Sequence, residues 1–81
     1  MDTNDVRLLI DRLIAETLAE KGAESQPITD DTVLLGGNLE LDSLDLASIV
    51  VNLSEATEKD PFSEGFIEFR TVGELAALYG G

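Results

Sequence analysis

The stretch Asp42-Ser43-Leu44-Asp45-Leu46-Ala47-Ser48-Ile49-Val50-Val51-Asn52-Leu53-Ser54-Glu55-Ala56-Thr57-Glu58 reads as a helix. The expected helix runs from Ser43 to about Glu58. Asp42 is its natural N-cap, and Asp45 sits in the first turn, where the helix dipole favours a carboxylate. At 100° per residue, Leu46, Ile49, Val50, Leu53 and Ala56 share one side and form the expected core face. Leu44, Ala47, Ser48, Val51 and Glu55 fall on the opposite side. Small monomers usually fill such a face with charge, yet half of this one is apolar, with Leu44 and Val51 two turns apart. It is either a partner face or an ordinary scatter of surface apolar residues.

Upstream, Val6, Leu9, Ile10, Leu13, Ile14, Thr17 and Leu18 recur at three- and four-residue steps, which predicts a helix from about Thr3 to Lys21. Thr3 is the expected N-cap, and Lys21-Gly22 a stop. Between the two helices, Gly22, Pro27, Gly36 and Gly37 break any regular pattern, so residues 22–41 read as a long loop. Val33-Leu34-Leu35 is expected to form one helical turn within it, its side chains plugging the core. Downstream, Asp60-Pro61 starts a turn, and a short helix is expected to fade at Gly65. Phe62, Phe66, Ile67 and Phe69 are expected to supply bulky core contacts. Thr71-Val72-Gly73-Glu74 fits a capping box, so a last helix follows with Val72, Leu75, Ala76 and Tyr79 inward. The expected fold is all-α: a small antiparallel four-helix bundle of three longer helices and a short third one, with a long first loop, in one domain over residues 1–81.

Composition narrows the chemistry. In 81 residues there is no cysteine and no histidine, which removes disulfides, protein thiolates, the usual zinc ligands and every His-dependent triad. Seventeen Asp and Glu against five Lys and Arg leave a net charge of -12. Nucleic acids and anionic membrane surfaces would be repelled, and basic partner proteins attracted. No apolar run approaches a membrane span, and the acidic stretch Asp2-Thr3-Asn4-Asp5 lacks the apolar core of a signal peptide, so a soluble, cytoplasmic monomer is expected. Asp30-Asp31 is an acidic loop pair that is more simply solvated than metal-binding. The calcium-loop pattern D-x-D-x-D-G with its closing Glu does not occur.

Ser43 stands at the first turn of the expected helix, where backbone N–H groups and the dipole suit a phosphate. The flanking Asp42 and Asp45 would repel a free phosphate and attract a basic enzyme that delivers one. A catalytic role for Ser43 needs a base within reach; there is no His, and Lys21 and Lys59 are both remote in sequence. The plainer alternative is that Ser43 merely shares capping with Asp42.

Asp42-Ser43-Leu44, continued by Asp45 and an aliphatic-rich helix, resembles the attachment motif of the acyl carrier proteins. Asp31-Thr32-Val33-Leu34-Leu35-Gly36 resembles the segment ending that family's first loop, and Phe69-Arg70-Thr71-Val72-Gly73-Glu74-Leu75 the start of its last helix. The likeness spans nearly the whole chain in helix order. It implies a non-catalytic carrier whose Ser43 bears 4'-phosphopantetheine, loaded from coenzyme A by a phosphopantetheinyl transferase. The arm's thiol would hold acyl cargo as a thioester for acyl-activating and acyl-transferring enzymes with basic docking patches. Asp42, Leu44, Asp45, Val51 and Glu55 carry over as candidates for partner recognition. Three departures argue against housekeeping fatty-acid synthesis. The approach Gly36-Gly37-Asn38-Leu39-Glu40-Leu41 is long, Ser48 stands where fatty-acid carriers often bear Glu, and residues 59–66 do not follow the usual third-helix pattern. A fatty-acid-like or specialised polyketide or lipid pathway is expected, with amino-acyl (peptidyl or D-alanyl) cargo as an alternative. The rival from another class is an acidic interaction module or decoy that never carries a cofactor.

Overall fold

The first helix, α1, spans Thr3–Glu20. A computed structural model describes residues 2–24, 27–37, 39–63, 65 and 67–80. Val6, Ile10, Ile14 and Leu18 are buried along α1, with Leu9 and Leu13 half-buried beside them, as the apolar stripe predicts. The N-cap is Asp2 rather than Thr3: Asp2 has extended backbone, and its Oδ1 accepts from the Asp5 N–H at 2.9 Å. A carboxylate there also meets the positive end of the dipole, which a threonine hydroxyl does not. At the other end the Gly22 N–H donates to Ala19 O and the Ala23 N–H to Leu18 O at 2.8 Å. This Schellman closure requires the left-handed Gly22, φ +73°.

Helix α2 spans Ser43–Thr57 and α3 spans Val72–Tyr79; α1 packs against both, and these two also touch each other. Ile49 and Leu53 of α2 are buried, and Leu46 and Val50 are half-buried. Ala56, expected in the core, is exposed. The Tyr79 ring is fully buried, its hydroxyl lies 2.9 Å from Ser54 Oγ, and it donates to Val50 O at 3.3 Å. That contact covers the Val50–Ser54 side of α2, whereas Ala56 lies about 140° from it around the helix, in the last turn. On α3, Val72, Leu75, Ala76 and Tyr79 are buried, as the spacing predicts.

The described residues between α1 and α2 form no helix, as expected, and Val33-Leu34-Leu35 does not form a helical turn. Val33 pairs with Thr71 in an antiparallel bridge. The Leu34 N–H donates to Arg70 O, the Val72 N–H to Thr32 O and the Gly73 N–H to Asp30 O, each at 2.9 Å. Extended backbone alternates its side chains, so Leu34 is buried while Val33 and Leu35 are exposed. Gly73 is required by this seam, because a Cβ there would lie 2.9 Å from the Asp30 Cβ. Arg7 ties the seam to α1, donating from Nε to Asp30 Oδ1 at 2.8 Å and from a terminal nitrogen to Ile28 O at 2.9 Å. Leu39 and Leu41 bury the end of the loop.

The expected fourth helix is not found: the described residues form three helices and no named strand, so the fold is all-α as expected. Residues 61–63 instead form a turn, with the Ser63 N–H donating to Asp60 O at 3.2 Å, and the Gly65 N–H donates to Phe62 O at 3.1 Å. Pro61 suits the second position of such a turn, and Gly65 at φ +138° adopts backbone that a helix cannot contain. Phe62 stacks tilted on Phe69 at 5.8 Å and meets Tyr79 edge-on at 6.5 Å. Ile67, expected inward, is exposed, because it precedes the Arg70–Leu34 seam and no element covers it. Phe66 lies outside the described residues.

Candidate functional site

Ser43 is the first residue of α2 and is exposed. The helix start does not depend on its hydroxyl. The Asp45 N–H donates to Asp42 Oδ1 at 2.9 Å, and the Asp42 N–H donates to Asp45 Oδ2 at 3.2 Å. This reciprocal capping box leaves the plainer reading of Ser43, as a shared cap, without a role to fill.

Ser43 stands on the rim of an apolar groove of about 380 Å³, lined otherwise by Leu35, Leu46, Ala47, Val50, Phe62 and Phe69. The groove exists because the turn at residues 61–63 brings Phe62 beside α2 while the seam holds Phe69 and Leu35 opposite. Sequence reasoning took Phe62 and Phe69 as core; half-buried, they are walls. Leu35 was expected as a plug and is a wall as well.

The predicted outward face of α2 is exposed at every position: Leu44, Ala47, Ser48, Val51 and Glu55. Leu44 is 79% and Val51 55% exposed, so two apolar side chains stand in solvent on the helix that begins with Ser43. Val51 and Glu55 also flank a shallow second hollow of about 480 Å³ with Val50, Ser54, Lys59, Asp60 and Phe62. Asp42 is exposed beside Ser43. Asp45 departs from this group. It is half-buried, and its Oδ2 takes the Lys21 ammonium at 2.7 Å. The Lys21 ammonium, and then the Asp42 N–H, hold the Asp45 carboxyl below the ordinary carboxylate range, and Asp45 in turn raises Lys21. Lys21 was set aside in the sequence as remote from Ser43. The end of α1 brings it beside the start of α2, and a 24-residue separation carries no local signal of that.

An exposed serine at a capped helix start, beside an apolar groove and on an all-helical fold, defines a carrier domain whose chemistry is added after synthesis. The chain matches the phosphopantetheine attachment site family over residues 10–79 and belongs to it. No curated protein and no solved structure matches the chain. The family attaches 4'-phosphopantetheine covalently, and this chain is therefore a phosphopantetheine-carrying domain. Such domains are in general non-catalytic and deal with phosphopantetheinyl transferases and biosynthetic enzymes. The residues fit the group: a hydroxyl open to solvent at a helix N-terminus for the phosphodiester, and an apolar groove next to it. No described helix is long and apolar enough to cross a membrane.

Proposed function

We propose that Ser43 is the attachment residue and that residues 1–81 act as one non-catalytic, cytoplasmic, monomeric acyl carrier. The observation that carries this reading is the exposed Ser43 at the rim of an apolar groove, with capping assigned to Asp42 and Asp45 instead. When bound, the prosthetic group supplies the thiol that a chain without cysteine lacks, and holds cargo on it as a thioester. The protein's own residues orient and shelter. Capping fixes the serine at the end of α2, and Leu46, Val50, Phe62 and Phe69 give an acyl chain a surface away from water. This lining favours acyl over amino-acyl cargo, since a charged amine gains no partner from those side chains. Leu44, Val51 and Glu55, with Asp42, form the face offered to a transferase and to acyl-activating and acyl-transferring enzymes with basic docking patches. The departures in residues 36–41, 48 and 59–66 favour a dedicated polyketide-like or lipid pathway over housekeeping fatty-acid synthesis.

Intact mass tests the proposal. Incubation with coenzyme A and a broad-specificity transferase is expected to add one phosphopantetheine to the wild type and none to Ser43→Ala, with helix content unchanged in both. A gain that persists in Ser43→Ala moves the attachment elsewhere. No gain in folded, unmodified wild type supports the acidic interaction module.

A further inference from the structure

The connection between α1 and α2 is long, and its two ends are joined by one side chain. Lys21, the C-cap of α1, donates from Nζ to the Glu40 carbonyl, nineteen residues on, and to Asp45 Oδ2 at 2.7 Å. The capping box links Asp42 and Asp45 only to each other, and just before them Leu41 is buried in the core. Lys21 adds a link from that corner to the body of the bundle. The same Oδ2 serves both the Asp42 N–H and the ammonium, so the two devices are mechanically one. Its geometry suits a lysine, because a single nitrogen with three protons reaches a carbonyl and a carboxylate together. The other four cations are placed elsewhere: Arg7 and Arg12 along α1, Lys59 against the Gly80 carbonyl, and Arg70 at the seam.

Resting on the assignment of Ser43 as the attachment residue, we infer that Lys21 is a positioning residue for its loading. By closing the 22–41 loop onto the start of α2, it holds the Ser43 hydroxyl in one orientation while the transferase grips the outer face of the helix. Loosening that corner leaves Leu44 and Val51 in place for binding and spreads the hydroxyl over several orientations. The loss therefore falls on kcat rather than on KM.

The test is steady-state loading by a broad-specificity transferase with coenzyme A, on wild type, Lys21→Met, Lys21→Gln and Lys21→Arg, with circular dichroism and melting on each. Lys21→Met keeps the methylene stem and removes the donors. Its kcat is expected to fall about tenfold with KM within about twofold, since small misplacements of a reacting group cost this much or more. Lys21→Arg is expected to recover at least about half the rate, because its fork reaches both acceptors. Lys21→Gln is expected to fall between Arg and Met, and it carries the comparison if Lys21→Met loses its helices. Wild-type kcat in Lys21→Met overturns the inference. So does a rise in KM alone, which marks a direct contact with the transferase, or a fall that tracks melting temperature without recovery by arginine, which marks a stability role. Wild type that gains no mass at Ser43 overturns the underlying assignment and this inference together, a result distinguishable from the others because no variant is needed to see it.

Discussion

Glu58 closes α2 in the left-handed region, at φ 57° and ψ 31°. Here a side chain works against its own backbone. A β-carbon in this region crowds the following carbonyl, and a carboxylate at a helix C-terminus opposes the dipole. Glycine removes both penalties and the exposed Glu58 side chain buries nothing, so Glu58→Gly is expected to stabilise by about 0.5–1 kcal/mol. A melting experiment is expected to show a rise of about 2–8 °C. An unchanged or lower midpoint would mean that the greater freedom of glycine in the unfolded chain outweighs the relief of strain. Ser43 is the opposite case. Among the described residues no hydrogen bond uses its hydroxyl, so Ser43→Ala is expected to spare structure.

At the scale of elements, α2 buries one face, and the proposed function gives the other a second duty. Ile49 and Leu53 are buried against the bundle, while Leu44 and Val51 stand in solvent. Val51→Glu separates the duties. A carboxylate at a site 55% exposed is readily hydrated in the free protein, and loses that hydration when a partner covers it. Transfer from loaded protein to a partner enzyme is expected to fall about tenfold, the scale of a single interface anchor, while the melting temperature stays within a few degrees. A large loss of thermal stability would show that the face is buried in the working protein. The α3 start has its own device. Glu74 Oε1 accepts from the Arg70 N–H at 3.2 Å and the Thr71 N–H at 3.1 Å. Those bonds hold its carboxyl below the ordinary carboxylate range.

The whole molecule has a Cα radius of gyration of 11.8 Å, close to the about 12 Å expected of a folded chain this long, and bears a net charge of -12. The ion pairs Arg7–Asp11, Arg7–Asp30, Arg12–Glu16 and Lys21–Asp45 engage three of the five cations. Salt weakens each such pair, but an exposed pair contributes at most about 1 kcal/mol. Twelve uncompensated charges within a body 33 × 23 × 21 Å repel throughout, and salt screens that repulsion as well. Repulsion is the larger effect, so added sodium chloride or magnesium is expected to raise the melting temperature. A flat or falling midpoint would show that the individual pairs dominate.

Much of this was legible in the residues. The stripes of α1 and α3 and the outward face of α2 follow from spacing, because a helix repeats every 3.6 residues whatever surrounds it. The caps at Asp42 and Thr71 are local patterns, and Asp42-Ser43-Leu44 by itself puts Ser43 at a helix start. What tertiary structure decided depends on partners far apart in the chain. The seam from Asp30 to Leu34 with the start of α3 replaced an expected helical turn, because backbone N–H and C=O groups at residues 70–73 offered better hydrogen bonds than a single isolated turn could supply. Tyr79, 25 residues on from Ser54, met Ser54 and Val50 of α2 through its hydroxyl. The turn at residues 61–63 took the place of a short helix and made Phe62 a groove wall. Lys21 met Asp45 because α1 ends beside the start of α2. Periodicity and caps are short-range physics and can be read along one dimension, whereas grooves and clamps arise where the folded chain returns to itself.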